Sequence, residues 1–172
     1  MKLLILLLTA AFATFGLSLS GQNIKNYYVS RQQENGTIYH IFPLTLFSEK
    51  QSGDLTMDIT HLDHSDTTTV NFTYYHKTAA PADSLTLVAG DWKKSYPIGK
   101  IYIEPDKKNW VHRYSLLLPQ RDLETFFGPD QSPQIILPLP SGRTIYSVKR
   151  SDWNKHAPAV RSIFAVIAIN AD

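Results

Sequence analysis

Apolar and polar residues alternate along most of the chain, and this period of two constrains the fold more than any other feature. Between residues 67 and 77, the apolar residues Val70, Phe72 and Tyr74 lie two positions apart. At the alternating positions of the same segment, only Tyr75 is not polar. A period of two places successive side chains on opposite faces of a strand, whereas a helix requires a period near 3.6. This segment is therefore predicted to be a strand with one face in a core.

Other segments repeat this pattern or are rich in β-branched and aromatic residues, which strands favour. They are separated by turn chemistry such as Asn35-Gly36, Gly90-Asp91 and Pro105-Asp106. Eight to nine short strands at this spacing predict an all-β, two-sheet antiparallel β-sandwich. The predicted strands are residues 25–31, 37–47, 55–60, 67–77, 84–89, 100–104, 110–118, 134–139 and 143–149.

Two segments have helical features. Residues 119–127 begin with a proline, carry acidic residues early and end before Gly128, which predicts a short connecting helix. Residues 157–170 predict a C-terminal helix, because Val160, Ile163, Phe164 and Ile167 follow the i, i+3, i+4, i+7 spacing of one buried face. The alternative for residues 163–169 is a last strand, since the segment is also rich in strand formers.

The first 20 residues have the layout of a secretory signal peptide. Lys2 provides a positive charge, an apolar run follows, and Ser18 and Ser20 are small residues at the −3 and −1 positions of a cut after Ser20. The alternative is an uncleaved anchor, because the apolar stretch approaches the length of a membrane-spanning helix. We expect cleavage, a single domain at residues 21–172 without stable membrane insertion, and a periplasmic or secreted location.

Composition narrows the remaining choices. The chain has no cysteine, so the exported domain is expected to hold together by packing without disulfides. With 17 Lys and Arg against 15 Asp and Glu, the balanced charge gives no electrostatic reason to expect a nucleic acid, an anionic membrane or an acidic substrate. No motif for a catalytic nucleophile, a phosphate loop or a cofactor is present, so the sequence predicts no cofactor and favours a non-enzymatic protein.

A polar loop after the third predicted strand contains a candidate metal site. His61, Asp63 and His64 fall within four residues, and imidazole and carboxylate groups are common ligands of divalent metals. These three side chains are therefore candidates for metal binding or for metal-dependent hydrolysis, as an alternative to a non-enzymatic binding function. The alternative is a polar hairpin loop whose side chains bond their own backbone.

Aromatic residues suggest a second candidate site. Trp92 follows Asp91 in a predicted turn, and Trp153 falls in a predicted loop. Exposed flat rings can stack on sugar rings while neighbouring polar groups bind hydroxyls, so Trp92, Asp91 and Trp153 are candidates for a carbohydrate-binding module. The alternative is that both tryptophans fill the core or its edge.

The segments 58–60, 69–72 and 101–105, together with Trp110, resemble small exported bacterial β-sandwich proteins of unknown function. The resemblance covers about 60 residues in the middle of the chain and rests on structural motifs. It implies a periplasmic or surface location in a bacterium and implies no activity. The function favoured at this point is binding of an unidentified protein or glycan of the cell envelope or its surroundings.

Overall fold

The structure is a computed structural model that describes residues 23–129, 132–140 and 142–171. The predicted signal peptide lies outside these residues. After a short 3-10 turn (Ile24–Asn26), the described chain forms ten strands and two helices. They are β1 (Tyr28–Gln33), β2 (Gly36–Glu49), β3 (Gly53–Leu62), β4 (Thr67–His76), β5 (Ser84–Ala89), β6 (Trp92–Pro97), β7 (Gly99–Asp106), β8 (Asn109–Pro119), α1 (Gln120–Phe126), β9 (Gln134–Leu139), β10 (Gly142–Val148) and α2 (Arg150–Ala171).

The alternation in the sequence corresponds to burial in the structure. On β4, Val70, Phe72 and Tyr74 are buried, and Tyr75 stands 40% exposed on the opposite face. Their neighbours across the sheet are also apolar, since Phe72 lies opposite Met57 on β3 and Tyr114 on β8. The predicted strands of this region are therefore confirmed, and their inward residues form the centre of the core.

The strands belong to one antiparallel sheet, ordered β6-β5-β9-β10-β2-β3-β4-β8-β7, with β1 paired to β2. The prediction of a mostly β fold with two helices is confirmed, but the strands do not separate into two hydrogen-bonded sheets. Instead the sheet curls over the core. The rings of Tyr74 on β4 and Tyr146 on β10 lie 6.1 Å apart, although three strand spacings separate them along the sheet. In a flat sheet that separation is about 14 Å.

A second feature of the sheet shows the same curling. β6 and β7 lie at the two ends of the strand order, yet only Ile98 separates them in the chain. One residue spans a few ångströms, so the two ends of the sheet must approach each other. The sequence analysis did not predict β6, because most of its residues are exposed and show no alternation of burial.

Both helices cover the core, and the C-terminal segment is a helix, as predicted. Its stripe of Val160, Ile163, Phe164 and Ile167 is buried. The helix begins at Arg150, seven residues earlier than predicted, and therefore contains Pro158 in its interior. No helix in the described part of the chain is both long and apolar enough to cross a membrane.

Candidate functional site

The loop between β3 and β4 does not bring the three candidate metal ligands together. His61 is buried, and its Nδ1 lies 2.8 Å from the hydroxyl oxygen of Thr68. The carboxylate of Asp63 accepts a 2.7 Å hydrogen bond from the backbone N–H of Thr37. The side chain of His64 is 57% exposed, and its Nε2 lies 3.9 Å from the Asp63 carboxylate. His61, Asp63 and His64 thus have different partners and do not converge on one site.

Asp63 has a structural role in this arrangement. Its own N–H donates to the carbonyl of Thr37, so the two residues are joined by a backbone bond and a side-chain bond. A Cβ atom on Gly36 would collide with the Asp63 carboxylate, so the turn between β1 and β2 requires glycine at this position. Within residues 23–129, 132–140 and 142–171, no three His, Cys, Asp or Glu side chains form a group that could hold a metal ion.

The prediction that Trp153 lies in a loop is wrong. Trp153 lies in α2 and is only 6% exposed. Its ring stacks on Phe127 with centroids 5.1 Å apart and also contacts Phe47 and Phe126. A ring enclosed by three aromatic side chains has little surface left for a sugar, and Trp153 is a core residue of the kind that the alternative interpretation described.

Asp91 and Trp92 lie at the turn between β5 and β6. Gly90 and Asp91 form the turn between the paired residues Ala89 and Trp92, and Gly90 has a φ of 58°. Asp91 is exposed, while Trp92 is partly buried and packs against the core. Only part of the indole is therefore free to contact a ligand.

An open cleft lies near the turn between β2 and β3. This is the end of the hairpin opposite to the loop that contains the candidate metal ligands. Only Ser147 and Val148 of β10 pair with β2, so the rest of β10 extends past the turn between β2 and β3. The space between this overhanging segment and the end of β4 measures about 590 Å³, and we call it the rim cleft. Its walls are Glu49, Gln51, Ser52, Tyr75, His76, Lys77, Asn109, Gly142, Arg143, Thr144 and Ile145.

The walls of the rim cleft combine one exposed aromatic ring with many hydrogen-bonding groups. Tyr75 is the residue that interrupts the polar face of β4, and its position at the cleft accounts for that exception. The cleft has a single carboxylate among the residues that line it, Glu49. Backbone N–H groups of Ser52 and Gln51 donate to this carboxylate at 2.7 Å and lower its pKa. Glu49 is therefore ionised, and its carboxylate already accepts hydrogen bonds from Gln51 and Ser52.

Behind the cleft lies a buried polar cluster, which we define as Tyr74, His112 and Tyr146. The Tyr74 and Tyr146 hydroxyls and Nδ1 of His112 are buried, and none of them has a partner of good hydrogen-bond geometry among the described residues. Tyr146 lies close enough to Ser52 and Glu49 for both to influence its pKa. The cluster is thus on the inner side of the cleft wall.

The protonation of this cluster follows from its surroundings. Burial raises the pKa of Tyr74 and of Tyr146, so both hydroxyls remain protonated at neutral pH. Burial lowers the pKa of His112, which favours the neutral imidazole. Its Nε2 lies 2.9 Å from the carbonyl oxygen of Thr78, which can only accept, so Nε2 carries the proton and Nδ1 is an unpartnered acceptor. The cluster is uncharged.

Sequence reasoning noted several of these residues but did not place them together. His40, His76 and His112 were each expected in a strand, and two of them meet, since the rings of His76 and His112 lie 6.1 Å apart. His40 instead has Thr60 as its partner. Tyr75 was detectable as an aromatic residue on a polar face. No local signal links it to Arg143, because the curling of the sheet brings them together.

Comparison with known proteins assigns the chain to no family. No family model matches the chain, and neither a curated protein nor a solved structure matches it significantly. The class that the fold and the cleft define is therefore the one described here: a mostly β protein in which a curled antiparallel sheet carries a polar cleft at one end.

Proposed function

We propose that this chain is an exported, non-enzymatic protein that binds a glycan in the rim cleft. Export to the periplasm or beyond the cell follows from the predicted signal peptide, and a bacterial source follows from the stated resemblance. In this proposal the two halves of the curled sheet act like the two layers of a sandwich, and the cleft is the open end between them.

The exposed ring of Tyr75 is the observation on which the proposal mainly rests. It stands beside amide and hydroxyl groups of Gln51, Asn109 and Thr144 in a cleft of a size common for small-molecule sites. The apolar face of a sugar ring packs on a flat aromatic ring, while its hydroxyls need several hydrogen-bond partners. A polar cleft with one exposed ring meets both requirements.

Binding without hydrolysis is supported by the acidic groups of the cleft. Glycoside hydrolysis commonly uses two carboxyl groups on opposite sides of the scissile bond. The residues lining the cleft supply only Glu49, and its hydrogen bonds from Gln51 and Ser52 favour the ionised form. This carboxylate is poorly suited to act as a general acid.

The proposal can be tested by affinity electrophoresis of the purified protein in gels containing xylan, glucomannan, dextran, alginate or polygalacturonate. We expect retardation in at least one gel and at least a roughly tenfold loss of affinity in Tyr75→Ser, with no release of reducing ends. Phe42→Ser is the matched control, because Phe42 is 43% exposed and Tyr75 40% exposed. No retardation in any gel, equal losses in both variants, or turnover of the bound polysaccharide would overturn the proposal.

A further inference from the structure

Positive charge is concentrated around the rim cleft, although the whole chain is nearly balanced. The turns and strand ends that border the cleft carry five exposed cationic side chains, and no ion pair holds any of them within the described residues. They are Lys50, Lys77, Lys107, Lys108 and Arg143.

The acidic groups of the same turns neutralise these cations only in part. Glu49 accepts from two backbone N–H groups, and Asp54 is paired with Lys149. Asp106 is the remaining carboxylate of these turns. At the opposite end of β2, β3, β4 and β8 the acidic residues outnumber the basic ones. The acidic residues of its turns and of α1 are Glu34, Asp63, Asp66, Asp122 and Glu124, and near them are Arg121 and Lys94, which is paired with Asp122. The charges are thus separated along the strands, and the net charge of +2 hides this separation.

The turn between β7 and β8 supplies a second observation. Asp106 and Asn109 are paired, so Lys107 and Lys108 are the two residues of a tight hairpin turn. Lys107 has a φ of 53°, in the left-handed region where hairpin turns favour Asn or Gly. A lysine in this conformation is uncommon, and here it places two cations beside Asn109 in the cleft wall.

We infer that the rim cleft binds an acidic polysaccharide, one whose sugars carry carboxylate or sulfate groups. This inference rests on the proposed glycan-binding function and adds the chemical class of the ligand. The Tyr75 ring contacts a sugar face, and Lys77 and Arg143 in the walls reach its anionic groups, with Lys50, Lys107 and Lys108 at the border. The cations in and around the cleft outnumber its one lining carboxylate, Glu49, and an excess of one sign of charge concentrates ligands of the opposite sign.

The test uses two triple variants of the full chain that remove the same charge. Lys77→Gln, Lys108→Gln and Arg143→Gln remove cations at the cleft, whereas Lys25→Gln, Lys93→Gln and Arg121→Gln remove exposed cations elsewhere. The probes are polygalacturonate for carboxylate, heparin for sulfate, dextran as a neutral glycan and a single-stranded oligonucleotide as a polyanion without the glycan chemistry. Affinity is measured at low and at physiological salt concentration.

We expect binding of polygalacturonate or heparin, a loss of at least roughly tenfold in the cleft triple variant and a much smaller loss in the control triple variant. Equal losses in both variants, or equal affinity for the oligonucleotide, would overturn the inference in favour of nonspecific charge attraction. Binding of dextran with equal affinity and full dependence on Tyr75 would overturn the acidic preference and leave glycan binding intact. Binding of no probe at all would overturn both.

Discussion

The rings of Tyr74 and Tyr146 meet at 6.1 Å in an edge-to-face arrangement across the core, and neither buried hydroxyl has a hydrogen-bond partner in the part of the chain that the structure describes. Their strands are separated in the sheet by β2 and β3, so this contact exists only because the sheet curls. It places uncharged polar groups in an otherwise apolar core, directly behind the wall of the rim cleft.

The unpartnered hydroxyl of Tyr146 leads to the first prediction. Tyr146→Phe removes a buried group that makes no hydrogen bond, so the free energy of unfolding should change by less than about 0.5 kcal/mol or increase. Tyr114→Phe is the matched control, because the Tyr114 hydroxyl accepts from the buried N–H of Ala82 at 2.9 Å. That variant should lose about 1–3 kcal/mol. Urea unfolding measures both, and a loss in Tyr146→Phe as large as in Tyr114→Phe would reveal a partner for its hydroxyl.

The buried histidines predict a dependence of stability on pH. Burial lowers the pKa of His112 and of His61 below the ordinary value of 6.5, so the unfolded chain takes up protons first on acidification. Stability is therefore full above pH 6.5 and falls as the pH decreases below it, by up to about 1.4 kcal/mol per pH unit for each histidine. When unfolding is measured at a series of pH values, the free energy of unfolding should fall less steeply with decreasing pH in His112→Gln than in the unmodified protein. An unchanged slope in His112→Gln would contradict the assignment.

Gly36 and Gly142 provide a matched pair of substitutions. Both have a φ of 129°, but a Cβ on Gly36 meets the Asp63 carboxylate, whereas a Cβ on Gly142 has nothing within 4 Å. Replacement by alanine strains the backbone at both positions, at about 1–3 kcal/mol. Gly36→Ala should lose at least about 1 kcal/mol more than Gly142→Ala in thermal or urea unfolding. Equal losses would mean that Asp63 does not hold the β1–β2 turn as described.

Two isoleucines of α2 test how this helix packs. Ile163 is fully buried, and Ile169 is 75% exposed on the same helix. Ile163→Ala should destabilise the protein by about 2–5 kcal/mol because it leaves a cavity in the core. Ile169→Ala should change the free energy of unfolding by less than about 0.5 kcal/mol. Similar effects of the two substitutions would show that α2 does not present the predicted stripe to the core.

The sequence predicted the elements whose residues carry a local pattern. Strand β4 was predicted because one face of it is buried, and the C-terminal helix because Val160, Ile163 and Phe164 follow helical spacing. Strand β6 was not predicted, because it is an edge strand of the sheet and has too few buried residues to show an alternation of apolar and polar side chains. Patterns within one segment report burial of that segment, so strands with little burial leave little signal.

The error at Trp153 has a different physical cause. The predicted helix began at residue 157, and a proline is expected near the start of a helix rather than in its interior. The helix nevertheless extends back to Arg150, because Trp153 and Ala157 are buried by it. The hydrogen bond lost at Pro158 would have come to the carbonyl of Asn154, an exposed residue whose carbonyl water can reach. Tertiary packing thus outweighs the local preference.

The candidate site was the least predictable part of the molecule. The rim cleft is assembled from the β2–β3 turn, the end of β4, the β7–β8 turn and the overhanging start of β10, which are distant in sequence. The nearly balanced net charge of the chain likewise gave no indication that cations are concentrated around the cleft. Both properties depend on how the sheet curls, and no single segment encodes that curvature.

An NMR titration of the ¹⁵N-labelled protein with oligogalacturonate tests whether a glycan binds in the rim cleft. We expect saturable amide shifts concentrated at residues 49–53, 75–78, 107–109 and 142–145, and their loss in Tyr75→Ser. Shifts concentrated instead at residues 63–66 or 90–92, or an absence of shifts with acidic and neutral oligosaccharides alike, would contradict this expectation.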